Sequence, residues 1–149
     1  MCKDLRNSQI FVLPGGFSAG DEPDGSGKFM AAVLQNPKLM DEIKAFLDRD
    51  GLILGVCNGF QALVKSGLLP YGEIGNVHEN SPTLTFNKIG RHISQIVKTK
   101  IITNNSTWLL SFEIGETFDI SVSHGEGRLV DADVMPEAII VKVTIKISR

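Results

Sequence analysis

The sequence predicts an α/β fold, with a mostly parallel central sheet covered by helices on both faces. Three observations predict it. Two short apolar runs, 9–13 and 52–56, each stop in a glycine-bearing turn, as buried strands do. Segments with helical spacing lie between and after them, and strands that alternate with helices pair in parallel. No internal repeat, low-complexity stretch or linker interrupts the chain, so a single domain over residues 1–149 is expected.

The elements follow in order. The run 9–13 ends at Pro14-Gly15-Gly16, a tight loop. A polar, turn-rich loop occupies 20–27, and a helix is expected over 28–35. A second helix begins at Pro37, carries Leu39, Met40, Ile43, Phe46 and Leu47 at helical spacing, and is stopped by Gly51. The run 52–56 is the next buried strand, and 58–66 the helix after it, ended by Gly67 and Pro70. From residue 83 to 122 the pattern changes to short β-like runs, 93–97, 100–103 and 118–122, separated by Gly, Asn and Ser. These predict hairpins appended to the same sheet. In the tail 131–149, Val141, Val143, Ile145 and Ile147 alternate with Lys and Thr, the pattern of one amphipathic strand, a substitute or exposed edge strand.

Composition excludes several classes of function. With 149 residues, 42% hydrophobic and 21% charged, the chain matches an ordinary domain with one core. A formal net charge of −2 gives no electrostatic reason to expect nucleic acid or an anionic membrane as partner. No apolar stretch approaches the ~20 residues that span a bilayer. Met1-Cys2-Lys3-Asp4-Leu5-Arg6 lacks the apolar core of a signal peptide, so a cytoplasmic location is expected. Two cysteines, Cys2 at a frayed start and Cys57, make neither a disulfide framework nor a zinc site, and no metal is expected. The stretch 20–28 imitates a phosphate loop but fails on spacing. Position 22, which needs glycine, is Glu22, and position 29, which needs Ser or Thr, is Phe29.

The most informative stretch is Gly55-Val56-Cys57-Asn58-Gly59, between an apolar run and a helical one. Strand, sharp turn and helix in that order form the nucleophile-elbow pattern with Cys in place of Ser. The flanking glycines leave room for a strained turn, and the positive end of the following helix favours the reactive thiolate. A buried core cysteine at a strand end is the competing reading. A cysteine nucleophile needs a base and a group to orient that base. Of three histidines, His78 and His92 lie in polar surroundings and are expected on the surface. His124 closes an alternating run in which Phe118, Ile120 and Val122 share one parity, and His124 and Glu126 continue it. If the strand persists, both point inward and pair, making Cys57, His124 and Glu126 a triad. If it ends in the Gly125/Gly127 turn, both reach water. Acyl chemistry also needs oxyanion donors. The backbone N–H of Asn58 is one source, and the 14–17 loop with Gly15 and Gly16 is another.

Four stretches together, Leu-Pro-Gly-Gly-Phe-Ser-Ala-Gly-Asp (13–21), Leu-Gly-Val-Cys-Asn-Gly-Phe-Gln-Ala-Leu (54–63), Gly-Leu-Leu-Pro (67–70) and Val-Ser-His-Gly-Glu-Gly-Arg (122–128), resemble the glutaminase domain of phosphoribosylformylglycinamidine synthase. This is a class I, triad-type glutamine amidotransferase family of purine biosynthesis. The resemblance covers about 9–130 and leaves 131–149 unmatched. It implies a three-layer, flavodoxin-like sandwich, incomplete at both termini relative to the family pattern. It also implies that Cys57 attacks the side-chain amide of L-glutamine to form a thioester and release ammonia, that His124 shuttles the proton and that Glu126 orients it. Gly16, with Gly15 beside it, and Asn58 supply oxyanion N–H groups, and Phe17 and Gln61 contact the bound glutamine. The chain itself needs no cofactor, because ATP and Mg belong to a synthetase partner that converts formylglycinamide ribonucleotide to the amidine. Two other functions compete with this one. One is a related cysteine hydrolase of the same fold acting on small carbonyl or peptide substrates, and the other a truncated docking domain without catalysis.

Overall fold

A computed structural model of the chain describes residues 2–16 and 27–130. The expected loop over 20–26, Phe17 and the tail 131–149 lie outside the described residues. Twelve elements run in the order α1 (Cys2–Asn7), β1 (Ile10–Leu13), α2 (Lys28–Leu34), α3 (Pro37–Leu47), β2 (Leu52–Gly55), α4 (Asn58–Lys65), α5 (Leu68–Tyr71), β3 (Thr83–Thr85), β4 (Ile93–Lys100), a 3-10 turn (Thr107–Leu109), β5 (Thr117–His124) and β6 (Arg128–Val130). The fold is α/β.

β1 and β2 pair in parallel from Ile10↔Leu52 to Leu13↔Gly55. The ladder continues past both ends through Leu52 N–H to Gln9 O (2.9 Å) and Val56 N–H to Leu13 O (3.0 Å). The last of these bonds anchors the residue just before Cys57. The helix α3 starts where the sequence says it should: Asn36 Oδ1 accepts from Lys38 N–H at 3.1 Å, and Pro37 occupies the first position, where a missing N–H costs nothing. Its apolar stripe Leu39, Ile43 and Phe46 enters the core together with Leu5, Leu13, Leu34, Ala62, Leu63 and Leu68. Burial of each large apolar side chain there contributes about 1.5–3 kcal/mol.

Three expectations are corrected. The chain start is helical from Cys2 rather than frayed. Leu5 is buried in the core, and the Arg6 guanidinium hydrogen-bonds the Glu42 carboxylate of α3. That bond holds the Glu42 carboxyl below its ordinary value. Docking of this kind stabilises a helix too short to persist alone. Residues 100–103 do not form a separate strand, because β4 runs unbroken to Lys100 and pairs with β5 from Ile93↔His124 to Lys100↔Thr117. The later strands also do not extend the β1–β2 sheet. Among the described residues they form two separate antiparallel pairs, β4–β5 and β3–β6. The three-residue β3 packs against α4 and pairs its backbone with β6. Among the described residues, no helix is long and apolar enough to cross a membrane.

Phe46 is among the most deeply buried side chains, with the Arg49 guanidinium 4.9 Å above its ring. Phe46→Ala is expected to cost about 3–5 kcal/mol of stability, lost transfer energy plus the cavity left behind, as measured by urea titration of the 149-residue chain.

Candidate active site

The elbow forms where β2 ends. Cys57 has φ 52° and ψ −110°, a backbone conformation that a residue with a Cβ adopts only under constraint. Strain of this sort costs on the order of 1–3 kcal/mol and persists where the surroundings over-determine it. Here Val56 is tied to β1, Gly59 N–H donates to Val56 O at 2.9 Å, and Gln61 N–H donates to Cys57 O at 3.0 Å. Position 59 must be glycine, since a Cβ there would run into the carbonyl of Leu13 at the end of β1. The Cys57 side chain is exposed. Gly15 lies directly on it: a Cβ added at 15 would sit 3.0 Å from Cys57 Cβ and 3.9 Å from Sγ. Gly15 of the Pro14-Gly15-Gly16 loop and the elbow are thus adjacent, and Gly16 has a positive φ of 117°. Asn58, the first residue of α4, is buried. Phe17 lies outside the described residues.

The second half of the site comes from the end of β5. The alternation read from the sequence holds through His124, with Phe118, Ile120, Val122 and His124 partly buried and their neighbours exposed. The strand stops there, yet Glu126 is buried in the turn that follows. Two contacts bind this turn to α4. Gln61 Nε2 donates to the backbone oxygen of Glu126 at 2.6 Å, and Lys65 Nζ lies 3.8 Å from Glu126 Oε2. Cys57, Gln61 and Lys65 are spaced four residues apart, so they follow one face of the helix that starts at the elbow. The loop carrying His124 and Glu126 is therefore fastened along the face that begins at the sulfur.

The His124 ring is held by Asn87, whose Oδ1 lies 3.0 Å from Nδ1. A Cβ at Gly127 would collide with the ring, so the glycine after Glu126 is what lets the imidazole lie over its own loop. Burial, followed by the charge of nearby His92, pushes the His124 pKa below its ordinary 6.5. His92 itself is exposed, with Nε2 2.8 Å from Ser123 Oγ, and His78 is exposed beside Tyr71, as expected of both. Gln61 is 5% exposed, and among the described residues its Oε1 has no hydrogen-bond partner. Two residues of the site were not singled out in the sequence, Asn87 and Lys65. Asn87 stands in a Phe-Asn-Lys-Ile-Gly stretch that reads as a turn, and its partners His124 and Gly127 lie 37 and 40 residues away. Lys65 reads as an ordinary basic residue in the last turn of a helix.

A cavity of about 340 Å³ lies elsewhere, along four consecutive residues of β2 and bounded by Phe60, Leu63, Leu69 and Trp108. It includes neither Cys57 nor His124. Its lining is mostly apolar but includes Asn105, Ser106 and Thr107.

A thiol on a strand-to-helix elbow, with a glycine loop against it and an imidazole loop fastened to its helix, is the arrangement of an α/β protein built around a cysteine. The chain belongs to the CobB/CobQ-like glutamine amidotransferase domain family, whose model matches residues 2–144. It is similar to phosphoribosylformylglycinamidine synthase subunit PurQ from Treponema denticola, 36% identical over 136 residues that cover 86% of this chain and 49% of that protein. The subunit of the same name from Dehalococcoides mccartyi is 39% identical over 137 residues, covering 91% of this chain and 49% of the relative. The solved structure of PurLQS from Thermotoga maritima matches with a TM-score of 0.65 at 34% identity, over 84% of this chain and 51% of that one. The chain spans about half the length of the curated relatives it matches.

Because the folded pKa of His124 is depressed, folding favours the neutral ring. The stability this contributes is present above 6.5 and is lost as pH falls from 6.5 through the folded value. An NMR titration of the ring is expected to show a midpoint below 6.5, and His92→Gln to move it upward by removing a like charge.

Proposed function

We propose that the chain is the glutaminase part of phosphoribosylformylglycinamidine synthase, hydrolysing L-glutamine to supply ammonia to an ATP-dependent synthetase partner. The observation that carries this reading is the strained Cys57 elbow with Gly15 against its side chain, on the same helix face that holds the His124–Glu126 loop. Family membership and the names of the relatives give the direction of the chemistry. They also support a cytoplasmic protein that acts beside a synthetase, and a fold in which β1 and β2 belong to the mostly parallel central sheet of a three-layer sandwich. Residues 1–149 are read as one such domain.

The reaction runs in two displacements. The Cys57 thiolate attacks the side-chain carbonyl carbon of glutamine, forming the C–S bond, while backbone N–H groups of Asn58 and the Gly15-Gly16 loop receive the oxyanion. His124, having taken the thiol proton, gives it to the departing nitrogen, so the C–N bond breaks and ammonia leaves. Water, deprotonated by the same imidazole, then attacks the thioester, which releases glutamate and returns the sulfur. Glu126 is the third member of the triad, and Gln61 and Phe17 line the glutamine site.

Two measurements test this reading. Purified chain is incubated with glutamine, with and without the synthetase, and ammonia is followed; separately, Cys57 is labelled with a glutamine-mimicking electrophile. Cys57→Ala is expected to abolish both signals, and His124→Ala to slow labelling by about 10²–10⁴-fold, the usual worth of a positioned general base. Unchanged hydrolysis in Cys57→Ala rejects the proposal.

A further inference from the structure

We propose that Asn87 is the positioning residue that fixes the proton of His124 on Nδ1, so that Nε2 presents its lone pair as the base. The inference rests on the reading of His124 given above and names the group that holds it ready.

The argument is one of hydrogen-bond capacity. A carboxamide has two donors on nitrogen and two lone pairs on oxygen. Asn87 is 7% exposed, and all four are engaged. Nδ2 donates to the backbone oxygens of Arg91 (3.0 Å) and His124 (2.9 Å). Oδ1 accepts from Gly127 N–H (3.2 Å) and faces His124 Nδ1 at 3.0 Å. Turning the amide over would aim its NH₂ at an N–H and its oxygen at two carbonyls, three repulsive contacts in place of three bonds. The amide therefore has one orientation, and the ring nitrogen that meets Oδ1 must carry hydrogen. A neutral imidazole has a single N–H, so Nε2 is left unprotonated. Asn87 N–H also donates to Gly125 O at 3.0 Å, which clasps the whole turn from 124 to 127 around one side chain.

The chemistry of the partner matters as much as its position. A neutral acceptor fixes the tautomer without drawing a second proton onto the ring, whereas a carboxylate at the same place would favour imidazolium. The depressed pKa of His124 agrees with a ring kept neutral. Among the described residues, the charged and titratable groups near the turn include His92 ahead of β4, Arg128, whose Nε donates to Phe86 O beside Asn87 at 3.0 Å, and the Lys65–Glu126 pair that closes the turn onto α4. Lys65 Nζ lies 3.8 Å from Glu126 Oε2, and the imidazole meets Asn87 through Nδ1 at 3.0 Å from Oδ1.

The test reads the ring itself. In the full chain labelled with ¹⁵N-histidine, with His78 and His92 assigned by His→Gln substitution, His124 above pH 6.5 is expected to show a pyrrole-type Nδ1 and a pyridine-type Nε2. The opposite pattern overturns the proposal. In Asn87→Ala the Nδ1–H form is expected to lose its predominance, and a wild-type ring spectrum in that variant also overturns it. Asn87→Asp retains an acceptor and is expected to keep Nδ1–H while raising the titration midpoint; should the alanine variant not fold, this variant and the wild-type pattern decide. Labelling of Cys57 by the glutamine-mimicking electrophile is expected to slow by about 10²-fold in Asn87→Ala through the rate of inactivation rather than through the half-saturating concentration. A wild-type chain that resists labelling rejects the glutaminase reading alone, because the tautomer is measured without turnover.

Discussion

The site depends on how closely α4 approaches the end of β1. Position 59 has room for a hydrogen and nothing larger before the Leu13 carbonyl. That approach lets the chain leave β2, turn within two residues and enter a helix, which is what forces Cys57 into its unusual backbone conformation. The strain is held from both sides, by the Val56–Leu13 bond behind the sulfur and by the first helical bonds ahead of it. Neither part suffices alone. A tight strand end without the helix would let the turn relax, and a helix standing further off would not need the turn.

The helix that holds the elbow also recruits the loop with the candidate base. Its face carries Gln61 and Lys65 after Cys57, and both reach Glu126, one through an amide to a backbone oxygen and the other through charge. Gln61 thus serves the architecture before any ligand arrives. Its Nε2 is committed to the loop, and its Oε1, buried without a partner among the described residues, is the end still able to accept a donor. Leaving such an oxygen unpaired costs about 1–3 kcal/mol. A donor brought to that oxygen would recover that cost.

Much of the fold was legible because it is local. Asn36-Pro37 announces α3, the spacing of Leu39, Ile43 and Phe46 gives its buried face, and glycines mark the turn after β1 and the end of α4. The parallel β1–β2 pair follows from two apolar runs with helices between them. Illegible parts share one cause, dependence on partners far along the chain. Leu5 anchors α1 by entering the core, and β3, which packs against α4, pairs with the distant β6. In the site, the elbow and the inward parity of His124 could be read from period and spacing. Asn87 could not, because its function resides in four bonds to residues that share no pattern with it.

The same physics distinguishes the two sides of the parallel pair. Along β1, Phe11 and Leu13 turn toward the core, while Ile10 and Val12 alternate outward at 49% and 47% exposure. Parallel strands with apolar residues on both faces belong to sheets covered on both sides, and here one face is covered by the core that also fixes the elbow. The covered face carries the geometry of the elbow: Leu13 is at once a core residue, the partner of Gly55 and the acceptor for Val56. A perturbation of the outward residues acts on solubility and association before it acts on the sulfur, whereas one methyl group at position 59 acts on the sulfur directly. The integrity of the site is thus decided by a few ångströms of backbone between β1 and α4.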